Sequence, residues 1–105
     1  MLITGSIAEK PIPGWSLVNG YCTGLYGVTK NLALDLRPLR VNLVCPGPVH
    51  APLLEQAGVL DKMAEHTLLG KVGRVEEVAE AYVYLMKDGN ATGGVVSTNR
   101  GLPLM

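Results

Sequence analysis

The run Arg40-Val41-Asn42-Leu43-Val44-Cys45 is compact, β-branched and apolar, and Pro46-Gly47-Pro48 closes it abruptly. Two prolines remove backbone donors that a continuing element would need, so the run is a short bounded strand. This strand stands between two helical patterns, which is the tightest constraint on the fold. Ahead of it, from about Gly20 to Leu36, the pattern is helical and stops before Pro38, because proline disfavours helical geometry in the residue before it. Beyond it, Val75, Val78, Ala79, Tyr82, Leu85 and Met86 recur at helical spacing. Glu76 and Glu77 in the first turn and Lys87 in the last complement that helix's dipole, and Gly89 can supply the stop.

Two more strands complete the order. "MLITGS" is a short apolar strand that begins almost at residue 1, and "GGVVST" is a third strand after a turn at Asn90 to Gly94. Between the first strand and the first helix, "AEKPIPGW" is a loop, with Pro11 and Pro13 lacking donors and Gly14 permitting a turn. Residues 49 to 72 mix polar and apolar positions and suggest one or two short helices over a groove. Strand, helix, strand, helix, strand implies right-handed crossovers and a parallel sheet, an α/β architecture of the doubly wound, nucleotide-binding kind. An opening strand with nothing before it looks like the middle of a fold, and its free side would be an open apolar edge.

Nine basic and nine acidic residues cancel, so no broad field draws the 105-residue chain to nucleic acid or an anionic membrane. No apolar run approaches the roughly 18 to 20 residues that span a bilayer, and no secretory signal is visible, so a cytoplasmic setting is expected. Cys22 and Cys45 match neither a zinc nor a CxxC spacing and are expected as small buried thiols. Glu65 and His66 do not form HExxH, and His50 is too distant in sequence to suggest a metal site with them. No metal is expected.

The stretch "GYCTGLYGVTK", residues 20–30, is the chemically ambiguous one. Its glycines, Gly20, Gly24 and Gly27, fit neither GxGxxG nor GxxxxGK[ST], which argues against a phosphate loop. At about 100° per residue, Tyr21, Leu25, Val28, Leu32 and Leu36 form one stripe, the expected core face. Tyr26 and Lys30 lie together off that stripe, one turn apart. An ammonium beside a phenol stabilises the phenolate, so such a pair can exchange a proton nearer neutral pH than a lone tyrosine.

Taken in order, "GSIA", "YGVTKNLALDL", "LRVNLVCPGPV", "GRVEEVAEAYVYLM" and "TGGVVSTNRG" resemble the C-terminal half of a short-chain dehydrogenase/reductase over nearly the whole chain. The resemblance implies one partial Rossmann-type domain over residues 1–105, without the N-terminal phosphate-binding half. It implies NAD(P)-dependent hydride transfer between an alcohol and a carbonyl, with NAD or NADP as cofactor, a small-molecule substrate and a homo-oligomer. It makes Tyr26 the acid/base, Lys30 its activator and ribose ligand, and Ser6 the residue that orients the substrate carbonyl. Pro46, Gly47, Pro48 and Val49 would meet the nicotinamide end. Three features depart from the family pattern: the interval from Ser6 to Tyr26 is longer than usual, His50-Ala51-Pro52 stand where a threonine often follows the valine, and Asn99-Arg100-Gly101 replace the usual ending. The alternative is a non-catalytic assembly module that keeps the family's dimer-forming helices.

Overall fold

The computed structural model describes residues 1–105. In chain order it comprises β1 (Leu2–Ile3), a 3-10 turn at Ser6–Ala8, α1 (Ser16–Asp35), β2 (Leu43–Pro46), α2 (Pro52–Ala57), α3 (Leu60–Glu65), α4 (Val75–Lys87), β3 (Val95–Thr98) and a 3-10 turn at Leu102–Leu104. All three strands run parallel in the order β1-β2-β3. Leu43 pairs with Leu2 on one side and Val95 on the other, and Cys45 pairs with Ser97. The apolar run at 43–45 is therefore the centre of the sheet, and Leu43, Val44 and Cys45 are fully buried. Burial on both faces is why this strand is continuously apolar where a half-exposed strand would alternate.

Alternation along β2 sends Val44 to one face and Cys45 to the other. Val44 packs with Ala81 and Leu85 of α4, bordered by Val78, Tyr82, Ala91 and Val96. On the opposite face the Cys45 thiol lies against Tyr26 of α1. The two helices thus cover opposite faces while the strands step steadily in one direction, so the two crossovers have opposite hands. This corrects the expectation that both are right-handed. The second connection is long and passes through α2 and α3 before α4, which frees it from the packing constraint that fixes the hand of a short strand-helix-strand unit.

α1 begins at Ser16, earlier than its pattern suggested. Its inward face is Cys22, Leu25, Tyr26, Thr29, Leu32 and Ala33, at i, i+3, i+4, i+7, i+10 and i+11. The expected core stripe holds only at Leu25 and Leu32: Tyr21 is 70% exposed and Val28 and Leu36 are exposed too, while Tyr26 is half-buried and Thr29 is fully buried. Besides Leu25 and Leu32, the sheet side carries small or hydroxylated residues whose polar atoms are satisfied locally. Thr29 Oγ1 donates to the Leu25 carbonyl at 2.7 Å, and Thr4 Oγ1, just after β1, donates to the Cys22 carbonyl at 2.8 Å. The outward side holds Leu17, Tyr21 and Val28, so hydropathy alone selects the wrong face. α4 is rotated similarly, with Ala81 and Leu85 buried, and Val75 and Met86 exposed. No helix is long and apolar enough to cross a membrane.

Candidate active site

A groove of about 1000 Å³ opens at the C-terminal ends of β1 and β2, the end of a parallel sheet where open α/β folds bind their ligands. β1 delivers Thr4 and Gly5 to its wall, and the chain then tightens into the turn that Ser6 opens. The Ser6 carbonyl accepts the amides of Glu9 at 2.9 Å and Lys10 at 2.8 Å, which fixes the residue at the groove's edge. Pro46, Gly47 and Pro48 form the neighbouring wall. Their backbone is pinned on two sides: the Gly47 amide donates to the Thr98 carbonyl at 2.9 Å, and the Pro48 carbonyl accepts from the Gly73 amide at 2.9 Å. A Cβ on Gly47 would stand 2.8 Å from Asn99 Cα and Cβ, so only glycine lets the end of β2 approach the end of β3. Val49 joins Gly73 in a single parallel bridge beside the groove.

α3 and its two cap residues line the groove with Val59, Lys62, Met63 and His66, at i, i+3, i+4 and i+7. Val59 and Met63 supply an apolar surface, and Lys62 and His66 a polar one. His66 Nδ1 donates to the Lys62 carbonyl at 2.6 Å, one turn back. Because that carbonyl can only accept, Nδ1 carries the proton and Nε2 is left free. Sequence reasoning weighed His66 only as a metal ligand. Its helical spacing to Val59, Lys62 and Met63 was the available signal, and it becomes meaningful once α3 is known to lie over the strand ends. His50 faces Glu55 at 3.3 Å and lies outside the groove.

Of the expected trio, Ser6 lines the groove, whereas Tyr26 and Lys30 do not. The Tyr26 hydroxyl donates to Glu9 Oε1 at 3.0 Å. Glu9 also accepts from Ser97 Oγ and, at 3.2 Å, from Asn99 Nδ2. Lys30 is exposed on the next turn and makes no salt bridge. Burial first, then hydrogen bonding with Cys45 and Glu9, raises the phenol's pKa well above its ordinary value. That is opposite to the activation expected from Lys30. Tyr26 and Lys30 thus stand one turn apart on α1, with the phenol bound to Glu9. Glu9, the hub of this network, had no mark in the sequence beyond its place in a proline-rich loop.

A second charged cluster lies at the start of α4. Glu77, in the first turn of α4, accepts the Arg74 amide at 2.8 Å and the Arg100 guanidinium at 2.5 Å. The Arg74 amide, then Arg100, lowers the Glu77 carboxyl to about 2. Arg100 holds a left-handed backbone, φ 53°, and its carbonyl accepts the Leu69 amide at 3.2 Å. The pair thus ties the loop after α3 to the start of α4.

Comparison with known proteins agrees with this fold. A family model described as an SDR-like Rossmann domain matches residues 1–105. The short-chain dehydrogenase/reductase malC of Malbranchea aurantiaca is 47% identical over 98% of this chain and 41% of its own length. Carbonyl reductase family member 4 of Danio rerio is 38% identical over 94% of this chain and 42% of its own length. The structure of the MalC reductase/Diels-Alderase superposes with a TM-score of 0.90 at 46% identity, covering 98% of this chain and 42% of that one. A small-chain dehydrogenase in complex with NADPH, 24% identical with a TM-score of 0.85 over 98% of this chain and 50% of its own, shares the fold. The chain spans about two-fifths of the length of the curated relatives it matches.

Proposed function

The chain belongs to the short-chain dehydrogenase/reductase family, and from that premise we propose that it is the substrate-side part of an NAD(P)-dependent oxidoreductase that interconverts an alcohol and a carbonyl. The observation that carries this reading is the groove at the strand ends, with Ser6 on one wall and the pinned Pro46-Gly47-Pro48 backbone on the next. The Ser6 hydroxyl donates a hydrogen bond to the substrate oxygen. Such a donor stabilises the charge that develops there as the carbonyl is reduced. The rigid backbone from Pro46 to Val49 fits the flat nicotinamide end of a dinucleotide. The cofactor supplies the hydride, and this chain's residues orient the carbonyl and exclude water. No glycine-rich phosphate motif occurs in these residues, so the choice between NAD and NADP lies outside them. In this reading Tyr26 is the acid/base and Lys30, one turn along α1, its activator, as the family resemblance implies. A cytoplasmic location accords with the same assignment.

The test is a titration of NADH and NADPH, followed by reduction of a panel of small aldehydes and ketones. Ser6→Ala is expected to lower kcat/KM by about 10²-fold, the usual loss for one donor to a developing oxyanion. An unchanged kcat/KM would remove Ser6 from the site.

A second reading rests on a separate observation. Leu17, Tyr21 and Val28 are exposed along one side of α1, and Gly24 between them has open space around its Cβ position. A stripe of that kind suits a partner helix, and the chain would then serve as an assembly module, with a homo-oligomer as its product. Absence of cofactor binding together with concentration-dependent association would favour it.

A further inference from the structure

We propose that the turn after β3 is the specificity-determining wall of the groove, where Leu102 and Met105 select carbonyl compounds that carry an extended apolar arm. This deepens the carbonyl-reducing reading above and rests on it. The first observation is how the chain reaches the groove at all. Beyond Thr98, Arg100 and Gly101 hold left-handed backbones, φ 53° and 77°, and turn the chain back toward the strand ends, where Leu102 and Met105 line the groove. The left-handed region is unfavourable for a residue with a side chain, so position 100 has to be held by its surroundings. Glu77 accepts from the Arg100 guanidinium at 2.5 Å, and the Arg100 carbonyl accepts the Leu69 amide at 3.2 Å. Asn99 Oδ1 accepts the Gly101 amide at 3.0 Å, and the Asn99 carbonyl accepts the Leu102 amide at 3.1 Å. A Cβ on Gly101 would stand 2.6 Å from Leu68 Cβ, so only glycine lets the turn lie this close to the loop after α3.

The second observation is what the turn meets. Leu102 and Met105 share the groove with Ile12 from the loop after β1 and with Val59 and Met63 at α3. Lys10, whose amide donates to the Ser6 carbonyl at 2.8 Å, extends its ammonium to the Met105 carbonyl. One lysine thus ties the Ser6 wall to the turn and sets the distance between them. Its charge is directed at that carbonyl, which leaves an apolar surface for the far end of a substrate whose reacting oxygen sits at Ser6. Ile12 and Met105 are 48% and 52% exposed, and an apolar arm that covers them removes that surface from water. Each methylene buried in this way is worth about fourfold in affinity. Lys62 and Glu65, on the exposed edge of α3, are of opposite sign, so that edge favours neither an anion nor a cation.

The experiment uses acetone and benzylacetone, two methyl ketones that differ in the apolar arm, and the full chain with carbon-13 in its methionine methyls. Benzylacetone is expected to shift the NMR signals of Met63 and Met105 and to leave those of Met1 and Met86, which border a separate cavity, in place. With NADH and NADPH, Met105→Glu should lower the ratio of kcat/KM for benzylacetone over acetone at least about tenfold, chiefly through KM, because a carboxylate at that wall opposes an apolar arm. Met86→Glu should leave the ratio unchanged, and circular dichroism checks the fold of both variants. A Met105 signal that stays fixed while benzylacetone is reduced, or a ratio that survives Met105→Glu, would overturn the wall and leave the carbonyl-reducing reading in place. Shifts at Met63 and Met105 without turnover of either ketone would keep the wall and overturn that reading. Neither shift nor turnover in the unaltered protein would overturn both.

Discussion

At the scale of single residues, Tyr26 separates what composition suggests from what geometry permits. A tyrosine and a lysine one helical turn apart have the right chemistry for proton exchange, yet the phenol here donates to a carboxylate on a buried face. Its hydrogen bond to Glu9 draws the strand-end loop onto α1, and through Ser97 and Asn99 onto β3. Tyr26→Phe is expected to cost about 1 kcal/mol of stability, the usual net value of one such bond, and, as the loss of the family's acid/base, to lower turnover by at least about 10²-fold. Urea denaturation alongside carbonyl reduction measures both. Turnover kept within about twofold would remove Tyr26 from the chemistry. Ser6 was legible because it directly follows an apolar strand. Glu9 and His66 were not, since nothing local in the sequence indicates which loop or short helix will lie across the strand ends.

At the scale of elements, the start of α4 is where charge and architecture meet. Glu77 caps the helix through the Arg74 amide and pairs with Arg100, and its carboxyl falls from an ordinary 4.5 to about 2. A depressed acid stabilises the fold fully above its unfolded pKa and loses that contribution as pH falls through the folded one. Stability should thus decline between pH 4.5 and about 2. Glu77→Gln should remove that part of the decline, as thermal unfolding followed by circular dichroism across this pH range would report. An identical acid limb in the variant would assign the decline to other carboxylates. The elements themselves were well marked in the sequence: the helix starts at Val75 as expected, the strand read over 40–45 forms at Leu43–Pro46 and includes the proline expected to close it, and the strand read over 93–98 forms at Val95–Thr98. Helix orientation was less legible, because both sides of α1 carry apolar residues and only the sheet decides which is covered.

At the scale of the whole molecule, the surface is too large for its mass. A monomer of 11.1 kDa would expose about 5,700 Å² by the usual scaling, whereas this fold exposes 6791 Å². Its radius of gyration is 14.5 Å, against about 13 Å for a compact chain of this length. Only ten residues are buried, while Ile3 on the edge strand and Leu17, Tyr21 and Leu34 on α1 are more than half exposed. Such a surface invites association. The purified chain should sediment above 11.1 kDa at raised concentration. Leu17→Glu with Tyr21→Glu should move that transition to at least about tenfold higher concentration, since each side chain is worth about 1.5 kcal/mol or more when buried. Unchanged sedimentation would place the contact on another face.

The sequence by itself determined the order of elements, the parallel sheet and the identity of its central strand, because continuous apolarity, proline and glycine breakers and helical periodicity are local signals. Only the tertiary structure decided which face of α1 meets the sheet, that the two crossovers have opposite hands, that Tyr26 answers to Glu9 and that His66 stands over Ser6's groove. Those facts depend on contacts between residues far apart in the chain, and a contact leaves no mark in sequence when either of two helix faces could make it.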